Sequence, residues 1–387
     1  MPTPVSGGRH VFLAINMDAG SQDVSRVGIV GCGKISGLYF QAGRLFDAIE
    51  VVACADIDMD RARDRAAEFD LPRACTVEQL LADPDIEIVV NLTVPAAHAP
   101  VARAALDAGK HVYNEKPMAA TRDEGRQLVE TARDRNLRLG CAPDTFLGAG
   151  LQTCRKLIDD GAIGRPVGAT AFIASPGPDR KRPDAAWFFQ PGAGPLFDIG
   201  PYYLTTMVNL LGPVRRVSGS AKITCPRRIS EAEQDRGTVI EVTTPTHVAG
   251  VMDFVGGAVG TILASFDVWA HQLPRLEVYG TEGSLSMPDP NTFGGPVRLF
   301  PARGEWCDVP LTHGYAEQSR GLGIADMARA IRTGRPHRAN GDLAFHVLDI
   351  MTALLATSDA ARYTDLQSTT DRPAPMPTDL PEGAVDD

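Results

Sequence analysis

Two short clusters in this chain have the residue types that a proton-transfer site needs. The first is Glu115-Lys116-Pro117, an acid, a cation and an imino acid in succession. Proline cannot continue a central strand, so the apolar run 111–113 before it must stop, and its last side chains must turn into a loop. The second is Asp198-Ile199-Gly200-Pro201-Tyr202, an acid and a phenol four positions apart. That spacing predicts a shared face if a helix begins near Asp198. A phenol has an ordinary pKa of ~10, and a neighbouring ammonium pulls it down by about 1–3 pH units. A lysine beside a tyrosine would therefore be a proton carrier with its own activator. Each cluster also has a plain reading: a surface lysine at a strand end, and a helix cap followed by a core tyrosine.

A third cluster speaks for a bound dinucleotide. The short apolar run 26–30 leads into Gly31-Cys32-Gly33-Lys34-Ile35-Ser36 and then an amphipathic helix reaching about 46. In this G-x-G-x-x-S turn Gly31 permits the tight bend, and Gly33 lets a pyrophosphate approach the backbone at the helix N-terminus. A second apolar run, 51–55, ends in Asp56, about where a ribose-binding acid is expected, ~20 residues beyond the glycines. Asp56 would accept hydrogen bonds from the ribose diol and repel a 2′-phosphate. Like charges at ~4 Å cost about 4 kcal/mol at an effective dielectric of ~20. NAD is therefore favoured, while Lys34, Arg61 and Arg63 offset the repulsion and leave NADP admissible. The plain reading of Asp56 is a cap for the following helix.

These clusters need a frame. Strand-like runs at 26–30, 51–55, 86–91, 111–113 and 137–141 alternate with helical stretches, among them 61–69, 77–82, 96–108 and 121–136. That alternation predicts a doubly wound parallel sheet, which binds ligands at the carboxyl ends of its strands. Past a helix at 150–160 the texture changes. Short β-branched runs at 166–173, 214–224, 239–244, 247–254, 259–266, 275–279, 284–287 and 297–300, punctuated by Gly, Pro and Asp, predict one largely antiparallel sheet. Helices near 204–211, 318–333 and 343–362 would cover one side of it. Its other face then needs a partner, with Val251, Phe254, Ile262 and Val278 as candidates. The expected organisation is an N-terminal extension (1–24), an α/β Rossmann domain (25–145), an α+β domain with a large, mostly antiparallel open sheet (146–371), and a Pro-rich tail (372–387), a loose strap or disordered.

The runs 27–36 (V-G-I-V-G-C-G-K-I-S), 54–58 (C-A-D-I-D), 93–98 (T-V-P-A-A-H) and 108–117 (A-G-K-H-V-Y-N-E-K-P), in that order, resemble the Gfo/Idh/MocA oxidoreductases. These are NAD(P)-dependent dehydrogenases and reductases of sugars, inositols and related polyols. The likeness extends from about Arg26 to near Tyr363. It implies that Lys116 is catalytic, that Glu115 lies beside the nicotinamide ribose, and that Thr93, Pro95 and His98 line the nicotinamide side with Lys116. Lys34 and Ile35 would join Gly31, Gly33 and Asp56 around the rest of the cofactor. It further implies a cis Lys116–Pro117 bond and association through the open sheet into a homodimer or homotetramer. The family commonly shows D-x-G-x-H with histidine as general base; this chain has Tyr202 there. It looks like the tyrosine-bearing members, which include relatives of glucose–fructose oxidoreductase and dihydrodiol dehydrogenase. Two assignments follow. Tyr202 carries the proton, with Lys116 lowering its pKa and Asp198 orienting it or the substrate; or Lys116 carries the proton itself.

Composition narrows the alternatives. The chain is 387 residues long, 44% hydrophobic and 22% charged, with a net charge of -10 that argues against a nucleic-acid partner. No apolar run approaches the ~18 residues of a membrane span. Seven scattered cysteines without a C-x-x-C pair suit a reducing cytoplasm and offer no metal framework; no catalytic metal is expected. A non-catalytic NAD-binding regulator on the same fold is the main alternative, and a methyltransferase using a G-x-G turn a distant one. A regulator need not keep both Lys116 and Tyr202. Arg182, Trp187, Phe189, Asp144 and Tyr203 are candidate walls for a hydroxylated ring, which suit many sugars alike.

Overall fold

The computed structural model describes residues 23–360 and 362–387, so the expected N-terminal extension falls, but for its last two residues, outside the described residues. The first half builds six strands: β1 (Ser25–Val30), β2 (Ile49–Ala55), β3 (Ala74–Cys75), β4 (Ile88–Asn91), β5 (His111–Asn114) and β6 (Leu139–Cys141). Helices α1 (Ser36–Leu45), α2 (Met59–Glu68), α3 (Val77–Ala82), α4 (Pro95–Asp107) and α5 (Arg122–Asp134) connect them. The sheet is parallel throughout, in the order β3-β2-β1-β4-β5-β6. β1 and β4 are buried on both sides apart from Arg26, which is why they read as apolar runs rather than alternations. The connections leave in opposite directions from β1 and β4, which opens a crevice at their carboxyl ends.

Local chemistry sets the boundaries. Asp58, and not Asp56, caps α2, accepting from the backbone N–H of Asp60 and Arg61. Thr76 and Thr121 form reciprocal capping boxes with Gln79 and Glu124, each worth about 1 kcal/mol. Gly31 takes φ +102, and a methyl added there would sit 2.7 Å from the Leu92 backbone. Only glycine fits that bend between neighbouring strands.

The second half begins with α6 (Ala149–Asp159) and continues through β7 (Pro166–Ala174), α7 (Gly194–Asp198), α8 (Gly200–Leu211), β8 (Val214–Lys222), β9 (Arg227–Ile229), β10 (Val239–Glu241), β11 (His247–Phe254) and β12 (Val259–Ser265). It closes with β13 (Leu276–Gly280), β14 (Gly283–Ser286), β15 (Val297–Pro301), β16 (Cys307–Val309), α9 (Leu322–Thr333), α10 (Gly341–Ala360) and β17 (Thr364–Asp365). Nine strands form one sheet in the order β16-β15-β14-β13-β7-β12-β11-β8-β17, antiparallel except for the β7–β12 pair. Helices α6, α7, α8 and α10 lie on one face.

Three differences from the sequence expectation have physical causes. The run 239–244 does not join the large sheet; β10 pairs with β9 in a separate ribbon over a small cluster of Phe188, Phe189, Ile240 and Phe266. Phe254, Ile262 and Val278 point into the helix-covered core, and of the four residues proposed for the open face only Val251 is turned outward. The tail is a strap, but a firmly held one and not a loose one. Met376 and Val385 are buried, Arg155 donates to the Pro373 carbonyl, and Arg338 pairs with Asp386 at 2.7 Å. The Asp47 N–H donates to the Gly383 carbonyl, so this strap also reaches the loop between α1 and β2.

Candidate active site

β5 ends at Asn114, and the cis Lys116–Pro117 bond follows it directly. Two asparagines brace this end. Asn91 donates to Asn114 Oδ1 at 3.0 Å, and Asn114 donates to the Met118 carbonyl at 3.1 Å. Glu115 accepts from its neighbour's backbone N–H at 2.9 Å and from the Tyr39 hydroxyl of α1 at 2.8 Å. Its carboxylate is thus fixed between the glycine-turn helix and the strand end.

The Lys116 ammonium crosses to the second half of the chain. It donates to the Asp198 carbonyl and lies 3.0 Å from Asp198 Oδ1, while its Nζ stands 5.3 Å from the Tyr202 ring centroid. The three residues meet as expected, but not on one helix. α7 ends at Asp198, Ile199 breaks the helical run, and Tyr202 belongs to the first turn of α8. Pro201 causes the break: it lacks the N–H that a continuing helix would need and favours a first-turn position.

Burial decides the electrostatics. It opposes the Lys116 charge, but Asp198, Tyr202 and Glu115 outweigh it and hold the ammonium above the ordinary lysine value. Tyr202 is only 6% exposed, and burial pushes its pKa up, against the pull of Lys116. The lowered phenol pKa expected from a neighbouring lysine is therefore overturned. Taking a phenolate out of water costs more than an ammonium already engaged by Asp198 returns. At neutral pH the pair is ammonium and neutral phenol.

Around the crevice the structure offers a dinucleotide cradle. Nothing lies within 4 Å of a methyl added at Gly33, so the backbone there is open to a ligand. Asp56 at the end of β2 accepts from the Cys32 N–H at 2.7 Å and the Asp58 N–H at 2.9 Å, and Arg61 lies 3.3 Å away. The acid holds the glycine turn at the end of β2, and the Arg61 guanidinium stands beside it. Lys34 is exposed and Ile35 half-buried at the start of α1. Ile57 is 99% exposed and Val94 67%, bare apolar side chains at the ends of β2 and β4. Such surface is what flat heterocyclic rings cover, so the residues present fit a dinucleotide. Thr93 donates to Asn91, and Pro95 starts α4. His98 is buried with one ring nitrogen against the Pro117 carbonyl and the other against the Thr93 carbonyl, so it ties the β4 and β5 loops together.

The proposed sugar walls do not assemble as expected. Asp144 is 1% exposed and receives the N–H groups of Gly321 and Gly323 at 2.8 and 3.1 Å, which makes it the anchor of α9. Tyr203 and Phe189 are core residues; Arg182 stacks on Phe188, with Trp187 half-exposed beside it. Three contributors had no expectation attached: Tyr39, the pair Ile57 and Val94, and Arg320. Arg320 donates to Asn291 and Gln318 at 2.8 and 3.0 Å, and its charge acts with that of Lys116 against the burial that raises the Tyr202 pKa. Its surroundings in the sequence, Gln318-Ser319-Arg320-Gly321, read as a solvated turn, and only the tertiary fold brings it inward.

Among the described residues no group of three or more His, Cys, Asp or Glu could hold a metal ion, and no helix is long and apolar enough to cross a membrane. Residues 25–142 match the oxidoreductase family with an NAD-binding Rossmann fold, and residues 151–286 match the GFO/IDH/MocA C-terminal domain. The chain is 28% identical to a 1,5-anhydro-D-fructose reductase of Ensifer adhaerens, over 74% of this chain and 83% of that protein. It is also 28% identical to a trans-1,2-dihydrobenzene-1,2-diol dehydrogenase of Bos taurus, over 79% and 87%. The fold superposes on levoglucosan dehydrogenase in complex with NADH and L-sorbose with a TM-score of 0.76 at 23% identity, covering 89% of this chain and 99% of that one.

Proposed function

The chain belongs to the Gfo/Idh/MocA family of NAD-binding oxidoreductases, and from that premise we propose that its substrate is a sugar, polyol or cyclitol. NAD, when bound, supplies the nicotinamide C4 that exchanges a hydride with a CH–OH or C=O carbon. The observation that carries this reading is the meeting of Lys116, Asp198 and Tyr202 at the carboxyl end of β5. Tyr202 passes the hydroxyl proton, since its phenol keeps its hydrogen at neutral pH and can give it to an alkoxide formed by carbonyl reduction. Lys116 stays charged and stabilises the oxygen at which negative charge develops. Asp198 fixes the Lys116 ammonium.

Gly31, Gly33, Lys34, Ile35 and Asp56 hold the pyrophosphate and adenosine side of NAD in this reading. Thr93, Pro95, His98 and Glu115 frame the nicotinamide side, His98 through the loops it ties. Asp56 favours NAD, and Arg61 keeps NADP within reach.

The outward face of the large sheet carries Phe172, Val251 and Leu263 among small residues, a surface suited to a second copy of this chain; we read the protein as a homodimer or homotetramer. Its cysteines are free, five of them buried, which suits the cytoplasm. A screen of NADH formation and consumption across sugars, polyols, cyclitols and their keto forms tests the function. NAD-dependent turnover of none of them would overturn it.

A further inference from the structure

Four adjacent strands of the parallel sheet, β2, β1, β4 and β5, end level with one another. The register across them runs Ala55, Val30, Asn91, Asn114, each the last residue of its strand. The residues that follow, Asp56, Gly31, Leu92 and Glu115, therefore stand at equivalent places along the carboxyl edge. An acid sits at either end of these four, with the glycine turn between them. Three strand spacings separate the two acids, roughly 14 Å.

Each acid is bonded to the segment that begins at the turn. Asp56 accepts from the Cys32 N–H at 2.7 Å, and Glu115 Oε1 accepts from the hydroxyl of Tyr39, in the first turn of α1, at 2.8 Å. A dinucleotide carries two ribose diols, one on either side of its pyrophosphate, and a carboxylate is the acceptor that a diol matches. With the adenosine ribose at Asp56, the second acid falls to the second ribose.

The Glu115 carboxylate is not free to turn. Tyr39 occupies one oxygen, and the Lys116 N–H occupies Oε2 at 2.9 Å. Each oxygen keeps a further lone pair, so a diol can be bound without breaking either bond. Tyr39 itself is buried, and burial together with the Glu115 charge holds its phenol well above the ordinary tyrosine range. Its hydroxyl is thus a permanent donor.

We propose that Tyr39 is a positioning residue for the nicotinamide-side ribose of NAD, holding the Glu115 carboxylate at the angle that ribose diol requires. This rests on the reading that places Glu115 on the nicotinamide side. The bond also joins α1, which starts at the glycine turn, to the residue before Lys116, so the supports of the pyrophosphate and of the second ribose form one connected piece.

The test compares three ligands: NAD, ADP-ribose, which keeps both riboses, and ADP, which keeps only the adenosine ribose. Calorimetric titration of each is made on the wild type, Tyr39→Phe, Glu115→Ala and the double variant, with circular dichroism confirming the fold. Tyr39→Phe removes one hydroxyl and keeps the ring that packs α1. It should weaken NAD and ADP-ribose about fivefold while ADP changes less than about twofold. Glu115→Ala should show the same selectivity to a greater degree, and adding Tyr39→Phe to it should cost nothing more. Glu115→Asp keeps the charge and leaves α1 intact but draws the carboxylate away from the hydroxyl; it should repeat the selective loss, and it stands in if Tyr39→Phe does not fold. Equal weakening of all three ligands would make Tyr39 a packing residue of α1, and unmoved NAD and ADP-ribose would leave its hydroxyl without effect. Either result in Tyr39→Phe, or in Glu115→Asp if that variant alone folds, overturns the inference. Unmoved NAD and ADP-ribose affinities in Glu115→Ala overturn instead the reading of Glu115 on which it rests.

Discussion

Lys116 carries its charge into a site where burial opposes it and keeps that charge because Asp198 is 3.0 Å away. Lys116→Met and Tyr202→Phe should each lower turnover by about 10²–10⁴-fold, the usual worth of a positioned proton-transfer or charge-stabilising group, with cofactor affinity nearly unchanged. The double variant should lose less than the product of the two, because they act on one oxygen; steady-state kinetics of the four proteins reads this directly. Tyr202→His should recover part of the activity lost in Tyr202→Phe and draw the pH–rate profile toward ~6.5. At the cofactor end, fluorescence titration should show NAD bound several-fold more tightly than NADP, and Asp56→Ser should narrow that gap. The same substitution also removes the acceptor of the Cys32 N–H, so NAD itself should bind more weakly. The meeting of Lys116 with Tyr202 and the place of Asp56 at the end of β2 were legible because each is an unusual residue type at a strand end or beside a proline. Arg320 was not, because an arginine in a polar turn has the same local signature whether or not the tertiary fold turns it inward.

Helices and strands came through the sequence wherever the hydrophobic period was unambiguous. β11 shows where it was not: Val248, Met252 and Phe254 alternate with Ala249 and Val251, so both faces of the strand look apolar and only the packing of α10 chooses between them. The break between α7 and α8 was hidden for another reason. An i, i+4 spacing assumes a continuous helix, and Pro201 denies it. α10 also carries a predictable pH liability. His346 accepts from the Val214 N–H and contacts Ser368, binding β8 to the segment after β17, and burial drops its pKa from 6.5 to about 4. His337, against the Leu139 carbonyl, is likewise lowered to about 4. The unfolded chain therefore binds these protons between about pH 6.5 and 4 while the folded chain refuses them, so stability is full above that window and falls as pH drops through it. Each histidine contributes on the order of 3 kcal/mol. Urea unfolding midpoints should fall between pH 7 and 5, and His346→Gln should flatten that dependence.

At the scale of the whole molecule, light scattering should return at least twice the 41.3 kDa chain mass, and Leu263→Asp on the open sheet face should reduce it. A particle of single-chain mass at micromolar concentration would instead leave that face to solvent. The strap adds a mechanical constraint. Residues 373–386 grip α6 through Pro373 and Met376, the turn before α10 through Asp386, and the α1–β2 loop through Gly383. They therefore tie the first half of the chain to the second. Any parting of the two halves must peel part of this clasp, which makes fraying of the strap and separation of the halves one event with one free energy. Amide exchange at Met376 and Asp47, whose N–H groups close the clasp at either end, should slow together when NAD binds, and Arg338→Met should quicken both along with cofactor release.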